Sequence, residues 1–330
     1  MRHRLALLPL CLLAATAAPA AEQSVHEVTH YPIAAGAVVT IDVADTDVHL
    51  RTGDVPDLAL TTDLRISGAG QDTARRWITG HTPIVDRHGG GLSIRIPPAH
   101  YGFLGFGMLT VRARLDIVMT PEAVPDITTT SGDIHVRGDF PSADPLRLRT
   151  STGDARFLGA ARSVDFRTSG GDLRVDVVRP LERLFARTSS GNVTLSGGTR
   201  DLHVDTASGD VWANALSGSV AVETSKGKVT LRWDRLPADA TVTVHNHGGR
   251  TRLVLPPGTT PKGTIRTTSG KIRCSLPGKV SEDGTAVVLE GPGPAFEVST
   301  VSGEIEVDTG EAEWQVAPAG ESTGEERGDG

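Results

Sequence analysis

Apolar and polar positions alternate along most of the chain, and the alternation restarts about every 20 residues. Each restart is marked by a short phrase, in its fullest form Thr-x-Ser-Gly-Asp, as in TTTSGDIHV around Gly132. Apolar residues stand two and four positions after the glycine and five and seven positions before it. Because alternate residues of a strand share one face, each period predicts two short strands with a common buried face, joined by a turn.

The turn glycine is the marker of the repeat. It occurs at nine places: Gly132, Gly153, Gly171, Gly191, Gly209, Gly227, Gly249, Gly270 and Gly303. Three positions earlier stands a threonine in eight of these periods and Asn246 in the other. We expect glycine to supply a positive φ at a corner, and the threonine hydroxyls to bond one another or the backbone.

A flat meander of such strands would leave the apolar face uncovered. Coiling the chain, so that equivalent strands stack roughly 4.8 Å apart, encloses that face in a narrow core. The pattern therefore predicts an all-β fold, a β-solenoid (β-helix) of about nine to ten rungs over residues 121–308.

The preceding segment, residues 21–120, is less regular. Residues 46–66 alternate like the later rungs and are expected to start the coil, and residues 71–80 are a short helical candidate. Three strands are expected to follow: residues 82–86, Gly91–Ile96 and Thr110–Met119. We interpret the segment as a small mixed cap on the first open edge of the solenoid.

The two ends of the chain differ from the rest in composition. Residues 1–20 combine a basic start, an apolar run and an Ala-Pro-Ala step, which predicts a secretory signal peptide cut near Ala20. We therefore expect an extracytoplasmic bacterial protein, periplasmic or secreted. No later stretch approaches the roughly 18 apolar residues of a membrane helix. Residues 309–330 are acidic and poor in apolar residues, and we expect a disordered tail.

Charge and cysteine content narrow the function classes. The sequence holds 33 basic and 40 acidic residues, and removal of Arg2 and Arg4 with the signal leaves 31 against 40, a net charge of −9. A nucleic-acid partner is thereby disfavoured.

Cys274 would be the one cysteine left after removal of the signal, which excludes an intramolecular disulfide and a multi-cysteine metal site. It occupies an inward column, so we expect a buried, unreactive thiol.

A family resemblance rests on residues 116–136, DIVMTPEAVPDITTTSGDIHV, a strand that ends in a proline step before the first turn phrase, and on the recurring phrase itself. Over residues 38–308 the order of parts resembles the bacterial β-strand-repeat proteins known as putative adhesins, a family of unknown function. The resemblance implies an adhesin-head-like β-solenoid. It transfers no catalytic residue and no cofactor.

Carboxylates follow the turn glycine in many periods, including Asp133, Asp154, Asp172 and Asp210. Stacked carboxylates could bind calcium or act as the acid–base pair of a glycosidase, and aspartate also simply suits such a turn. A residue repeated in every rung serves the repeat, whereas an active site must break it, so we favour the structural interpretation. The two imidazoles of HNHGG, residues 245–249, lack an obvious third metal ligand. We predict neither catalytic nor metal-binding residues.

Arginines occupy two outward columns in successive rungs, and these are our candidate ligand-binding residues. Four positions before the glycine lie Arg149, Arg167 and Arg187; three positions after it lie Arg156 and Arg174, followed two rungs later by Trp212. Arginine can bind a carboxylate, phosphate or sulfate bidentately, and tryptophan offers a stacking surface. An acidic glycan or another envelope component is the predicted partner. The alternative is pairing with Asp154, Asp165 and Asp172 on a solvated surface.

Two further features leave alternatives open. Residues 102–108, GFLGFGM, form either a hydrophobic lid on the cap or an exposed contact for a membrane or partner. For the whole chain we favour a non-enzymatic β-repeat protein, an adhesin or an envelope-associated binding or scaffold protein. The alternative is a β-helix enzyme, a lyase or hydrolase, acting on an acidic polysaccharide.

Overall fold

The computed structural model describes residues 22–98 and 109–310. The predicted signal peptide (residues 1–20), the apolar loop (residues 102–108) and the predicted tail (residues 309–330), except Thr309 and Gly310, lie outside the described residues. Thr309 is the last residue of a strand. Among the residues described, none of the helices has the length and apolar character needed to cross a membrane.

The described chain is almost entirely β-structure with one helix, α1 (Gln71–His81). The strands before the repeats are β1 (Gln23–Pro32), β2 (Val38–Val43), β3 (Asp47–Thr52), β4 (Asp57–Ser67), β5 (Ile84–His88), β6 (Gly91–Ile96) and β7 (Thr110–Met119). The first half of the repeats comprises β8 (Val124–Thr129), β9 (Ile134–Phe140), β10 (Leu146–Arg149), β11 (Ala155–Ala161), β12 (Ser163–Arg167), β13 (Leu173–Val177), β14 (Leu181–Ser190), β15 (Val193–Ser196), β16 (Thr199–Ser208) and β17 (Val211–Leu216). The second half comprises β18 (Val220–Lys226), β19 (Val229–Trp233), β20 (Thr241–Gly248), β21 (Thr251–Leu255), β22 (Lys262–Thr267), β23 (Lys271–Cys274), β24 (Lys279–Val280), β25 (Ala286–Glu290), β26 (Ala295–Ser302) and β27 (Glu304–Thr309).

The strands form two long sheets that enclose one core. Sheet A has the order β1-β4-β7-β3-β9-β11-β13-β15-β17-β19-β21-β27-β23, and sheet B has the order β24-β25-β22-β26-β20-β18-β16-β14-β12-β10-β8-β2-β6-β5. Within the repeats, equivalent strands pair in parallel and in register, as Ala155 does with Leu173. The predicted all-β, solenoid-like architecture is confirmed.

The inward columns form the core as the alternation predicted. Ile134 and Val136 of β9, like Val193 and Leu195 of β15, are buried, and so are their equivalents through most of the stack. Cys274 is the informative exception, because β23 is the last strand of sheet A. Its side chain packs against the core but is only partly buried. The prediction of a buried thiol is therefore wrong in degree, although the pKa of the thiol is raised, chiefly by burial.

The turn threonines and glycines bond and pack between rungs. The hydroxyl of Thr150 accepts the N–H of Gly153 at 3.0 Å and donates to the carbonyl of Gly132 on the preceding rung at 3.4 Å. A Cβ added to Gly153 would lie far inside van der Waals contact of that carbonyl oxygen. Gly153 does not have a positive φ, so the predicted reason for this glycine is wrong. Close stacking of successive turns requires it.

The N-terminal strands do not stack in chain order. The pair β2/β3 lies between the pair β6/β7 and the first repeat, β8/β9. Residues 46–66 were expected to start the coil as one unit, but only β3 joins the parallel stack, and β4 turns back to pair antiparallel with β7. The predicted helix is confirmed as α1, whose Ala74 and Trp77 pack on Leu64 and Ile66.

The C-terminal repeats also stack out of order. β26 and β27, the last strands of the chain, insert between β20/β21 and β22/β23. Thr251 of β21 therefore faces Ile305 of β27, and Ile305 in turn faces Ile272 of β23. Ion pairs fix this insertion on sheet A: Arg250 binds Glu306, and the guanidinium of Arg252 lies 3.8 Å from Asp308.

Candidate functional site

The six predicted binding residues lie on two separate faces of the molecule. Arg149, Arg167 and Arg187 stand side by side on β10, β12 and β14 of sheet B, each in register with the next. Arg156 and Arg174 are neighbours on β11 and β13 of sheet A. Residues before and after a turn glycine belong to different sheets, and the outer faces of the two sheets point away from the shared core. The predicted binding residues therefore form two separate groups, one on each sheet.

The three predicted binding arginines of sheet B each have an aspartate partner. Arg149 Nη1 lies 2.7 Å from Asp126 Oδ1. The guanidinium of Arg167 contacts both carboxylate oxygens of Asp165, at 3.1 and 3.2 Å. These counter-ions offset the repulsion between the like charges that face one another on adjacent strands.

The third arginine of this face, Arg187, lies 2.8 Å from Asp205 on β16. The predicted pairing with an aspartate on a solvated surface is therefore confirmed for Arg167 and Asp165, and it extends to partners that the sequence did not indicate. Asp154 and Asp172 have a different role, described below.

The two predicted binding arginines of sheet A share one carboxylate. Arg174 Nε lies 2.9 Å from Asp176 Oδ2, and Arg156 Nη2 lies 3.9 Å from the same atom. Trp212 belongs to the same outward column, because Arg174 faces Thr194 and Thr194 faces Trp212. Trp212 is therefore near the arginines of sheet A and cannot act as a stacking surface for those of sheet B.

Sheet B carries its own aromatic pair, Phe185 and His203, which sequence reasoning missed. The two rings are stacked, with centroids 5.0 Å apart and planes 7° from parallel. The guanidinium carbons of Arg167 and Arg187 lie 5.3 and 5.8 Å from the Phe185 centroid, within cation–π range. Both rings stand six positions before a turn glycine. The outward column at that position in the sequence therefore indicates that the two rings are neighbours.

The turn carboxylates form a ladder along the corner of the solenoid. Asp133 Oδ1 accepts the N–H of Asp154 at 2.8 Å, and Asp154 Oδ1 accepts that of Asp172 at 2.7 Å. The same bond continues through Asn192 and Asp210. This geometry supports the structural interpretation of the turn aspartates, since each one bonds the backbone of the next rung.

Histidines on the outer faces have local partners. His245 Nδ1 lies 2.8 Å from Ser299 Oγ on the neighbouring strand of sheet B. On sheet A the rings of His49 and His135 have centroids 4.6 Å apart, and burial, Arg114 and His135 lower the pKa of His49. In the part of the chain that the structure covers, no three His, Cys, Asp or Glu side chains are grouped so that they could hold a metal ion.

The comparison with protein families identifies the fold family. Residues 39–308 match the model of the family described as Toastrack DUF4097. The chain belongs to this Toastrack family. Among curated proteins, none matches the chain.

Several solved structures are similar to this Toastrack chain. A "putative adhesin" from Bacteroides fragilis is 12% identical, with a TM-score of 0.41, and the match covers 86% of this chain and 96% of the other. A "putative lipid binding protein" from Parabacteroides distasonis is 10% identical, with a TM-score of 0.41 and coverage of 86% and 96%. A "putative cell adhesion protein" from Clostridium sporogenes is 12% identical, with a TM-score of 0.22 and coverage of 87% and 100%.

Proposed function

We propose that this Toastrack protein is a non-enzymatic, extracytoplasmic binding or scaffold protein of the bacterial envelope, which binds an acidic glycan on the outer face of sheet B. One observation carries the proposal: Arg167 and Arg187 flank the Phe185 ring on an open sheet surface. Their side chains are 53% and 58% exposed, so both guanidinium groups are accessible to a ligand.

The chemistry of this cluster suits an anionic polymer. A guanidinium that is held over an aromatic ring is already oriented, and it can exchange an aspartate contact for a carboxylate, sulfate or phosphate of a ligand. Each exposed ion pair contributes little to stability, so such an exchange costs the fold little. The even spacing of the strands would present successive arginines to successive charged units of a polymer.

The extracytoplasmic location rests on the sequence of residues 1–20, which has the order of a secretory signal. The alternative of a β-helix enzyme was motivated by the stacked turn carboxylates. Within the described residues these carboxylates accept backbone N–H groups along the corner. No observation of a paired acid and base supports a catalytic site there, and we propose no enzymatic function.

A titration at two salt concentrations tests the proposal. The protein without residues 1–20 is titrated with polygalacturonate and with an uncharged polysaccharide at about 20 mM and about 150 mM salt, where the Debye length falls to about 8 Å. We expect binding of polygalacturonate alone, at least tenfold weaker at the higher salt. Equal binding of the two polymers, or no binding of either, would contradict the proposal.

A further inference from the structure

The aromatic pair on sheet B ends at a small residue. In the outward column of Phe185 and His203, the next residues in register are Ala221 on β18 and Thr243 on β20. His203 lies between Phe185 and Ala221, so one face of its ring packs on Phe185 and the other is directed toward Ala221. The 5.0 Å ring spacing matches the spacing of strands. The methyl group of Ala221 thus leaves the place of a third ring open.

A hollow of about 290 Å³ occupies this place. His203, Ala221 and Thr243 line it along one column, and Arg183, Asp201, Ser219 and Thr241 line it along the next. Its volume lies just below the range for small-molecule sites, which is about 300–1,000 Å³. The hollow is therefore suited to one sugar ring of a longer polymer that runs over the surface.

Polar groups at one side of the hollow have unused bonding capacity. Within residues 22–98 and 109–310, the guanidinium of Arg183 takes part in no hydrogen bond or ion pair, although Asp201 faces it on the next strand. Ser219 Oγ accepts the N–H of Thr241 at 3.1 Å and can still donate its own proton. Arg183 is thus a cation beside the hollow that a ligand could bind without displacing an aspartate.

We propose that the hollow over Ala221 binds one uronic acid residue of an acidic glycan. The C–H face of the sugar ring packs on the free face of His203 and continues the aromatic stack. The sugar carboxylate binds Arg183, and Ser219 and Thr243 bond the ring hydroxyls. An aromatic ligand would also stack there, but the polar column beside the ring favours a polyhydroxylated one. The inference rests on the proposed glycan-binding function of this face, and it adds the site and the sugar type.

Two substitutions separate the stacking from the charge recognition. Ala221→Phe fills the hollow with a ring of the protein itself, and because the residue points outward, the fold should tolerate it. Arg183→Gln removes the cation that binds the sugar carboxylate and leaves the hollow open. Ala207→Phe, which adds the same ring at an exposed position of the same sheet, is the matched control.

The probes are a short oligosaccharide of galacturonic acid and the neutral galactose oligosaccharide of equal length, titrated by calorimetry. We expect the wild type to prefer the acidic probe. Ala221→Phe should weaken the binding of the acidic probe at least tenfold with an unchanged melting temperature. Arg183→Gln should abolish the preference for the acidic probe over the neutral one. Ala207→Phe should bind the acidic probe as the wild type does.

The outcomes distinguish this inference from the proposed function. If Arg167→Glu/Arg187→Glu loses the acidic probe while Ala221→Phe and Arg183→Gln keep it, the inference is overturned and the proposed function stands. If Ala221→Phe loses binding but the wild type never preferred the acidic probe, the uronic acid assignment is overturned. If the wild type binds no acidic probe, both are overturned.

Discussion

Asp154 Oδ1 accepts the backbone N–H of Asp172, 2.7 Å away on the next rung of the solenoid. The equivalent bond from Asn192 Oδ1 to the N–H of Asp210 is 2.8 Å long. An amide oxygen therefore serves in this ladder as well as a carboxylate oxygen. From Asp133 to Asp210 the turn position therefore supplies a side-chain acceptor for the next rung, and the charge is secondary.

Replacement of Asp154 tests that conclusion. We predict that Asp154→Asn keeps the stability of the wild type, whereas Asp154→Ala loses about 0.5 kcal/mol, the lower end of the range for a hydrogen bond because the site is exposed. Urea unfolding of both variants measures the difference. An equal loss for Asp154→Asn and Asp154→Ala would show that the charge, and not the acceptor, matters.

The close stacking of the turns gives a second prediction. Gly153→Ala should destabilise the protein by at least about 2 kcal/mol, because the new methyl group would overlap the Gly132 carbonyl of the preceding rung. Gly70→Ala is the control, since a Cβ at Gly70 has nothing within 4 Å. Thermal unfolding should show a large shift for the first variant and almost none for the second. Equal shifts would refute the packing argument.

The histidine pair on sheet A predicts a pH dependence. Burial, Arg114 and His135 lower the pKa of His49 in the folded state, against the opposing effects of Asp116 and Asp47. The unfolded chain therefore takes up a proton at His49 more readily than the folded protein does. The contribution of His49 to stability is complete above its unfolded pKa of about 6.5 and is lost as the pH falls through the folded pKa.

We accordingly expect the free energy of unfolding to decrease below about pH 6.5, and to decrease less steeply in His49→Gln. His247→Gln, on the exposed side of β20, is the matched control. Urea unfolding between about pH 7.5 and about pH 5, a range in which histidine side chains titrate, provides the comparison. An identical pH slope in wild type and His49→Gln would exclude this role for His49.

The insertion of the last strands predicts which cysteine pairs can form. Thr243 of β20 faces Glu297 of β26, and Glu297 faces Thr264 of β22. In a Cys274→Ser background, Thr243→Cys/Glu297→Cys should oxidise to a disulfide. Thr243→Cys/Thr264→Cys should remain reduced, because two strand spacings are about 9.6 Å and exceed the reach of a disulfide. Mass spectrometry of the oxidised proteins distinguishes them, and the reverse result would indicate stacking in chain order.

The sequence predicted the strands and their inward faces because burial imposes a period of two within each rung. Gly91–Ile96 and Thr110–Met119 are strands at the expected bounds. The order of the rungs could not be predicted in the same way. Every rung offers the same parallel edge and the same turn, so the repeat does not record that β2/β3 insert between two later pairs of strands, or that β26/β27 insert between two earlier pairs.

The sequence analysis predicted the charged residues of the candidate site but not its aromatic residues. Arg167 and Arg187 were recognised as a column, but their separation from Arg156 and Trp212 follows from the turn, which sends the two columns to different sheets. Phe185 and His203 were overlooked because the outward column six positions before the glycine is otherwise chemically mixed. The hollow at Ala221 exists because this side chain is smaller than the rings of Phe185 and His203 in the same column. This difference in size is visible only when the register of the strands is known.

The central claim is that the outer face of sheet B binds an acidic glycan, and charge reversal on each face tests it most directly. The oligosaccharide of galacturonic acid is titrated into the wild type, Arg167→Glu/Arg187→Glu of sheet B and Arg156→Glu/Arg174→Glu of sheet A, with the melting temperature of each recorded. We predict that the sheet B variant loses binding, that the sheet A variant retains it, and that both melt within a few degrees of the wild type. Equal binding by the sheet B variant and the wild type, or loss only in the sheet A variant, would contradict the account.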